Sequence, residues 1–384
     1  MKRILALLVV MALLAGCGGT KQPSGGGSAP AAAKEIKIGL IAPLTGDVKT
    51  FGESTKNGFE LALEQVNYKV GDITIKTVIG DDRNDPTEGV NLATKFITQD
   101  KVQAIIGSVT SKVTIPVTEV ANQNKVVLVT GTATNEKVTV GEKGRKDYIF
   151  RACFIDSFQG EVGAKFALNT LKVKTAAVLY DKGNDYTVGL AENFKKNFEA
   201  GGGKVVGWEA YSKDDTDFSA VLTKLAGQKP EMLYLPDYYN KVSLIGKQAK
   251  AKGLNVPMIG GDGWDSSDID WETMAGGYFT NHYSADDQRP EVQKFVKEYE
   301  AKYKVKPDAL AALAYDATLV LLEGIRQSKS TDATKIREAI QTLKDFTAVS
   351  GKITYDKNGN PIKSAAILQV QANKSLKFIE SVKP

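Results

Sequence analysis

From Lys34 onward the chain alternates short β-branched and aliphatic runs with stretches of helical apolar spacing, and it does so twice. That rhythm narrows the fold more than any other feature. A buried first strand is expected over 36–41, then a helix over about 52–67. A strand over 73–79, a helix over 87–98, a strand over 102–106, a helix over 115–122 and a strand over 126–129 follow. The series restarts with a helix over 161–171. Strands over 176–179, 204–210, 232–235 and 257–259 alternate with helices over 188–200, 218–225 and 242–252. Single helices between strands imply parallel sheets covered on both faces. A break near Arg151 and Asp156 divides the series into two α/β units rather than one very wide sheet.

The C-terminal third changes character. Helices over 291–302, 310–327 and 334–343 come with little strand between them. Extended segments over 353–356, 365–370 and 376–379 surround a turn at Lys357-Asn358-Gly359-Asn360-Pro361. Helices after two complete units suggest that the chain crosses back to finish the first. About 350 ordered residues also exceed what one core usually organises. The expected fold class is therefore α/β, two doubly wound parallel-sheet lobes joined by a multi-strand hinge. The first lobe takes 34–155, the second 156–281 and a return to the first 282–355. Residues 356–384 form a hinge crossing and a last segment of the second lobe.

The N-terminus carries an address. Met1-Lys2-Arg3 is a short positive region, and the apolar run over 4–14 is too short to span a bilayer. It leads into Leu14-Ala15-Gly16-Cys17, the pattern of a bacterial lipoprotein signal over 1–16, with Cys17 as the lipid-bearing first residue. An ordinary signal peptide with an incidental Cys17 is the alternative. Residues 17–33 hold no large apolar side chain and suit a flexible leash to a membrane. Of 50 basic residues, Lys2 and Arg3 leave with the signal, so 48 face 45 acidic ones, a formal +3. That charge is too small to imply nucleic-acid binding. With Cys17 lipidated, Cys153 has no internal disulfide partner.

Enzyme chemistry finds little to work with. His282 is the only histidine, and no Walker loop, G-x-S-x-G elbow or HExxH is present. Cys153 lies in the apolar run Phe150-Arg151-Ala152-Cys153-Phe154 and reads as packing. Asp356-Lys357-Asn358-Gly359-Asn360 starts like a calcium loop, but Pro361 stands where that loop needs glycine. The string Asp265, Asp268, Asp270 and Glu272 reads as a solvated face rather than a cation site. Neither a metal nor a cofactor is expected.

In parallel α/β sheets ligands bind beyond the carboxyl ends of strands, where helix N-termini present free N–H groups. Ser111 and Thr134 follow such strand ends, and hydroxyl donors there suit a carboxylate, although both would equally serve as helix caps. Asp262 lies in Gly260-Gly261-Asp262-Gly263-Trp264 at another strand end, where a carboxylate suits an ammonium and the glycines permit close approach. A solvated loop aspartate is the alternative. Phe51, Tyr186, Tyr238, Trp264 and also Tyr239 would line an apolar pocket, and Thr110 is next to Ser111.

Ile41-Ala42-Pro43-Leu44-Thr45-Gly46, Asn57-Gly58-Phe59-Glu60-Leu61-Ala62, Asp81-Asp82-Arg83-Asn84-Asp85-Pro86, Ile105-Ile106-Gly107 and Thr130-Gly131-Thr132-Ala133-Thr134 occur in this order. Together they resemble the leucine/isoleucine/valine-binding proteins of ABC transporters, with the type I periplasmic binding fold. The resemblance runs from Lys34 to the end. It implies a monomeric extracytoplasmic binding protein that closes on a free amino acid, branched-chain or otherwise apolar, and delivers it to permease subunits with their ATPases. By the same resemblance Ser111 and Thr134 hold the ligand α-carboxylate, Thr132 and Ala133 add backbone contacts, and Asp262 meets the amine. Some relatives have the longer Glu in place of Asp262, and relatives with a disulfide here carry cysteines near Asn84 and Thr110, which this chain lacks. Urea or a short amide, a sugar stacked on the aromatics, and a role in sensing rather than transport remain alternatives.

Overall fold

The computed structural model describes residues 34–384; the expected signal, leash and lipid-bearing Cys17 lie outside the described residues. The first sheet opens with β1 (Lys34–Ala42), helix α1 (Lys49–Gln65) and a short β2 (Lys69–Val70) that turns back into β3 (Ile73–Asp81). Helix α2 (Pro86–Thr98), β4 (Ala104–Gly107), α3 (Ser111–Gln123) and β5 (Val127–Thr130) follow. A small hairpin of β6 (Val140–Gly141) and β7 (Gly144–Arg145) precedes β8 (Ile149–Arg151). The six strands lie in the order β2-β3-β1-β4-β5-β8, all parallel except β2. Buried aliphatic residues fill both faces of the sheet, as a parallel sheet requires.

The second sheet alternates in the same way. Helix α4 (Asp156–Lys165), β9 (Thr175–Asp181), α5 (Asp185–Ala200), β10 (Lys204–Tyr211) and α6 (Ser219–Gly227) come first. They are followed by β11 (Met232–Tyr234), α7 (Tyr239–Ala251), β12 (Met258–Gly260), α8 (Trp271–Met274) and β13 (Tyr278–Asn281). The chain then forms α9 (Pro290–Tyr303), α10 (Ala309–Ser328) and α11 (Ala333–Gln341). Helix α10 packs along α1 so closely that a Cβ on Gly58 would stand 2.1 Å from the Ala311 carbonyl oxygen. The hairpin β14 (Phe346–Ala348) and β15 (Gly351–Ile353) leads to β16 (Ala365–Gln371) and β17 (Ser375–Val382). These last two strands join the second sheet antiparallel, completing the order β10-β9-β11-β12-β13-β16-β17.

Three segments run between the sheets: one after β8, one after β13 and one before β16. A buried polar network ties the first and third together. The Lys363 ammonium in the third donates to the Ala152 carbonyl in the first at 2.8 Å and also to the Ser350 hydroxyl. Tyr355 donates to the Arg151 carbonyl at 3.0 Å. The Arg151 guanidinium, fully buried, donates to the Ala133 and Asn135 carbonyls at 2.9 Å each.

Helix starts are where expectation and structure differ most. Helices α3, α5 and α7 begin at Ser111, Asp185 and Tyr239, three or four residues earlier than their apolar spacing indicates. Their first turns carry residues such as Ser111-Lys112 and Asp185-Tyr186-Thr187, which do not continue the apolar stripe of the helix that follows. The three-residue β8 and four-residue β13 were not expected, because strands so short carry no readable alternation. The acidic string is not one solvated face either. Asp265 is buried and accepts from the Ala309 amide and from Asn281, both at 2.8 Å, while Asp270 caps α8.

Candidate functional site

Segments that follow strand ends in both sheets converge on one cavity. Phe51 comes from α1, Val109, Thr110 and Ser111 from the β4–α3 connection, Thr132 from beyond β5, and Leu310 from the start of α10. The second lobe contributes Tyr186 from α5, Tyr238 at the cap of α7, and Asp262 and Gly263 after β12. The cavity holds about 20 Å³, room for roughly one water. Contacts between the lobes hold it shut. The Thr50 and Ser266 hydroxyls lie 2.9 Å apart, Tyr239 donates to the Asp47 carbonyl at 3.1 Å, and the Ala309 amide meets Asp265 across the cleft.

On the first-lobe side, Ser111 occupies the first turn of α3 and its Oγ accepts from the Asn135 amide at 3.2 Å. The amides of a helical first turn have no partner within the helix, so the local field favours an anion. The Thr132 hydroxyl donates to the Val109 carbonyl at 2.9 Å and the Thr110 hydroxyl to Asn84 Oδ1 at 2.7 Å. Ala133 and Thr134 do not line the cavity. The chain turns inward there to meet Arg151, which takes the Ala133 and Asn135 carbonyls, and Thr134 is left fully buried with its hydroxyl unpartnered among the described residues.

Opposite stands Asp262, the only acidic or basic side chain in the cavity wall. Three donors hold its carboxylate. Gln159 Nε2 and the Tyr186 hydroxyl each donate to Oδ1 at 2.9 Å, and His282 Nε2 lies 3.0 Å from Oδ2. The Tyr186 oxygen in turn accepts from the Gly263 amide at 3.1 Å. A Cβ on Gly261 would stand 2.5 Å from that oxygen, so this glycine admits the tyrosine rather than a ligand. Burial, and then the Asp262 carboxylate, push the Tyr186 phenol well above its ordinary value. Burial pulls the His282 imidazole below its ordinary value against the pull of Asp262.

Aromatic rings separate the two polar ends. Tyr186 and Tyr238 stack at 5.3 Å, and Phe51 meets Tyr238 and Tyr239 edge-on at 5.6 and 5.2 Å. Tyr239 closes the cleft from outside the cavity. Trp264 belongs to the core instead: it is fully buried, its indole N–H donates to the Leu235 carbonyl at 3.0 Å, and it packs into the space left by Gly260. Sequence reasoning missed Val109, Leu310, Gln159 and His282 as parts of this site. Burial pushes the Cys153 thiol up to about 12, which leaves it no nucleophile at neutral pH.

The chain matches the model of the periplasmic binding protein family over residues 35–375. It is 35% identical to the Leu/Ile/Val-binding protein BraC3 of Rhizobium johnstonii, over 86% of this chain and 90% of that protein. Its fold is similar to a leucine binding protein from Thermotoga maritima, with TM-score 0.87, 37% identity, and coverage of 91% of this chain and 99% of that one. It is also similar to a solute binding protein of an ABC transporter from R. palustris in complex with benzoate, with TM-score 0.83, 25% identity, and coverage of 91% and 97%. The chain belongs to the periplasmic binding protein family, among the Leu/Ile/Val-binding proteins, and so to the extracytoplasmic substrate-binding components of ABC transporters.

Proposed function

We propose that the cleft binds one free amino acid with an apolar side chain, branched-chain residues foremost, and that a monomer of this chain delivers it to the transporter's permease from a lipid anchor on Cys17. The α-carboxylate meets the Ser111 hydroxyl, whose proton is uncommitted, and the first-turn amides of α3, beside Thr110 and Thr132. The α-ammonium meets Asp262, and the side chain lies among Phe51, Val109, Tyr238 and Leu310. The single observation that carries this reading is the solitary Asp262, placed across an apolar wall from a helix N-terminus. Such a polarity matches a zwitterion and repels a ligand that carries only an anion. A cavity of about 20 Å³ takes an amino acid only when the lobes part, so binding is coupled to opening and closing.

The relative bound to benzoate favours one rival, an aromatic carboxylate stacked on the tyrosines. Calorimetry on refolded, ligand-stripped protein separates the two. Leucine, isoleucine or valine should bind, while benzoate, urea and glucose should not. Tight benzoate binding without any amino acid binding overturns the zwitterion reading. The anchor is tested by mass spectrometry of the protein from its native membrane, which should yield an acylated peptide beginning at Cys17.

A further inference from the structure

His282 lies outside the cavity wall, yet it touches the one charged group inside it. The ring is fully buried, stacked on Phe154 at 3.7 Å, in the second segment that runs between the lobes. Its Nε2 is 3.0 Å from Asp262 Oδ2, while Nδ1 has no partner among the described residues. An ionised carboxylate only accepts, so Nε2 carries a proton, and the buried, unpartnered Nδ1 favours the neutral ring with its lone pair there. A carboxylate offers about four lone-pair sites, and Gln159, Tyr186 and His282 occupy three. One acceptor site remains for a ligand.

Resting on the amino acid reading above, we propose that His282 is a positioning residue for the ligand ammonium: its neutral Nε2–H ties the Asp262 carboxylate to the hinge and leaves the last acceptor site to the cleft. The ionisable neighbours support a neutral ring. Asp262 faces it from the loop after β12, and Lys363, whose ammonium burial lowers to about 8, approaches from the third hinge segment and opposes a second positive charge. Beyond Asp262 stand Tyr186 of α5, Asp156 of α4, Cys153 of the first hinge segment and Asp265, none of them a cation. A doubly protonated ring would compete with the ammonium for the same carboxylate, so falling pH should release the ligand as the ring takes up a proton. Linkage runs the other way too: bound ligand makes that proton harder to add.

Because the chain has one histidine, the imidazole can be followed without assignment. Nitrogen-15 spectra of histidine-labelled protein should show the Nε2–H tautomer at neutral pH, protonating only below the ordinary value near 6.5, and lower still with leucine bound. An Nδ1–H tautomer overturns the proposal. Leucine affinity then distinguishes the donor from the ring. His282→Gln keeps an N–H and should bind within a few-fold of the parent, without the parent's loss of affinity at acid pH. His282→Phe keeps the stacked shape and should bind about ten- to a hundredfold more weakly. Equal loss in both variants reduces His282 to packing and overturns the proposal, as does parent-like affinity in His282→Phe. A parent protein that binds no amino acid refutes the ligand reading instead, and the tautomer still reports the contact to Asp262.

Discussion

Replacing Asp262 tests the charge logic of the cleft most directly, because the carboxylate is buried and three of its acceptor sites are taken by named donors. In Asp262→Ala the Gln159 amide, the Tyr186 hydroxyl and the His282 imidazole all lose their acceptor. Each buried donor left unpaired costs ~1–3 kcal/mol, so the variant should melt several degrees lower even without ligand. A ligand ammonium would then enter a closed cleft with no counter-charge. Breaking such a pair costs ~3–5 kcal/mol, or roughly two to three and a half orders of magnitude in leucine affinity. Asp262→Asn behaves differently. Its amide oxygen can still accept from Gln159 and Tyr186, and its NH2 can donate to His282 once the ring switches to the other tautomer. Stability should therefore stay close to the parent, while leucine affinity falls about ten- to a hundredfold for want of charge. A carboxylate without an amine should gain, since the repelling anion is gone. Titration calorimetry of both variants with leucine and with benzoate, beside thermal melts without ligand, reads all of this. Parent-like leucine affinity in Asp262→Ala would refute the assignment of the ammonium, and unchanged benzoate binding in Asp262→Asn would refute the electrostatic account of selectivity.

Opening must break the Thr50–Ser266, Tyr239–Asp47 and Ala309–Asp265 contacts, so small-angle scattering should report a smaller radius of gyration with leucine than without, and identical curves would contradict closure. A Cβ on Gly52 would stand 2.0 Å from the Pro43 carbonyl oxygen, so Gly52→Ala should cost ~1–3 kcal/mol in urea unfolding and, by displacing Phe51, weaken leucine binding as well. Burial raises the Asp82 and Asp237 carboxyls to about 6, so the folded protein binds their protons before the unfolded chain does. Their contribution to stability therefore grows as pH falls from 7 through 6 towards 4, on the order of 3 kcal/mol each at the limit, and Asp82→Asn should flatten that rise in unfolding curves measured across this range.

Period and order were readable along the chain; local starts were not. The alternation that makes a parallel sheet appears twice because each central strand is buried on both faces and must be aliphatic throughout. The run of helices without strands marked where the second alternation stops, and α10 within it packs along α1. Helix starts in the cleft obey a different rule. Ser111, Tyr186 and Tyr238 stand at the first turns or caps of α3, α5 and α7, and what covers the tyrosines is distant in sequence: Tyr186 bonds to Asp262 and Gly263, and Tyr238 meets Phe51. An apolar stripe read along one helix cannot register a partner some 70 to 200 residues away. Trp264 misled for the same reason. Strand-end position and neighbouring glycines pointed to a ligand, whereas the glycine at 260 makes room for the indole itself.

Asp262 sums up how the site exceeds its motif. Along the chain it is an aspartate among glycines, one methylene shorter than the glutamate of some relatives, and nothing nearby explains how a shorter arm serves. In three dimensions its reach matters less than its fixation. Gln159 approaches from α4, Tyr186 from α5 and His282 from the segment that joins β13 to α9, each through a single hydrogen bond. A carboxylate held at three points loses little further freedom when a ligand arrives, so ordering costs less at the moment of binding. Two of those points come from helices packed within the second lobe, and the third comes from the hinge. The acid therefore moves with its lobe as a rigid unit, and the distance it must cover to an ammonium is set by closure rather than by side-chain length. The same geometry separates a zwitterion from a bare carboxylate: both can use the helix N-terminus at Ser111, and only the zwitterion has a group to offer Asp262.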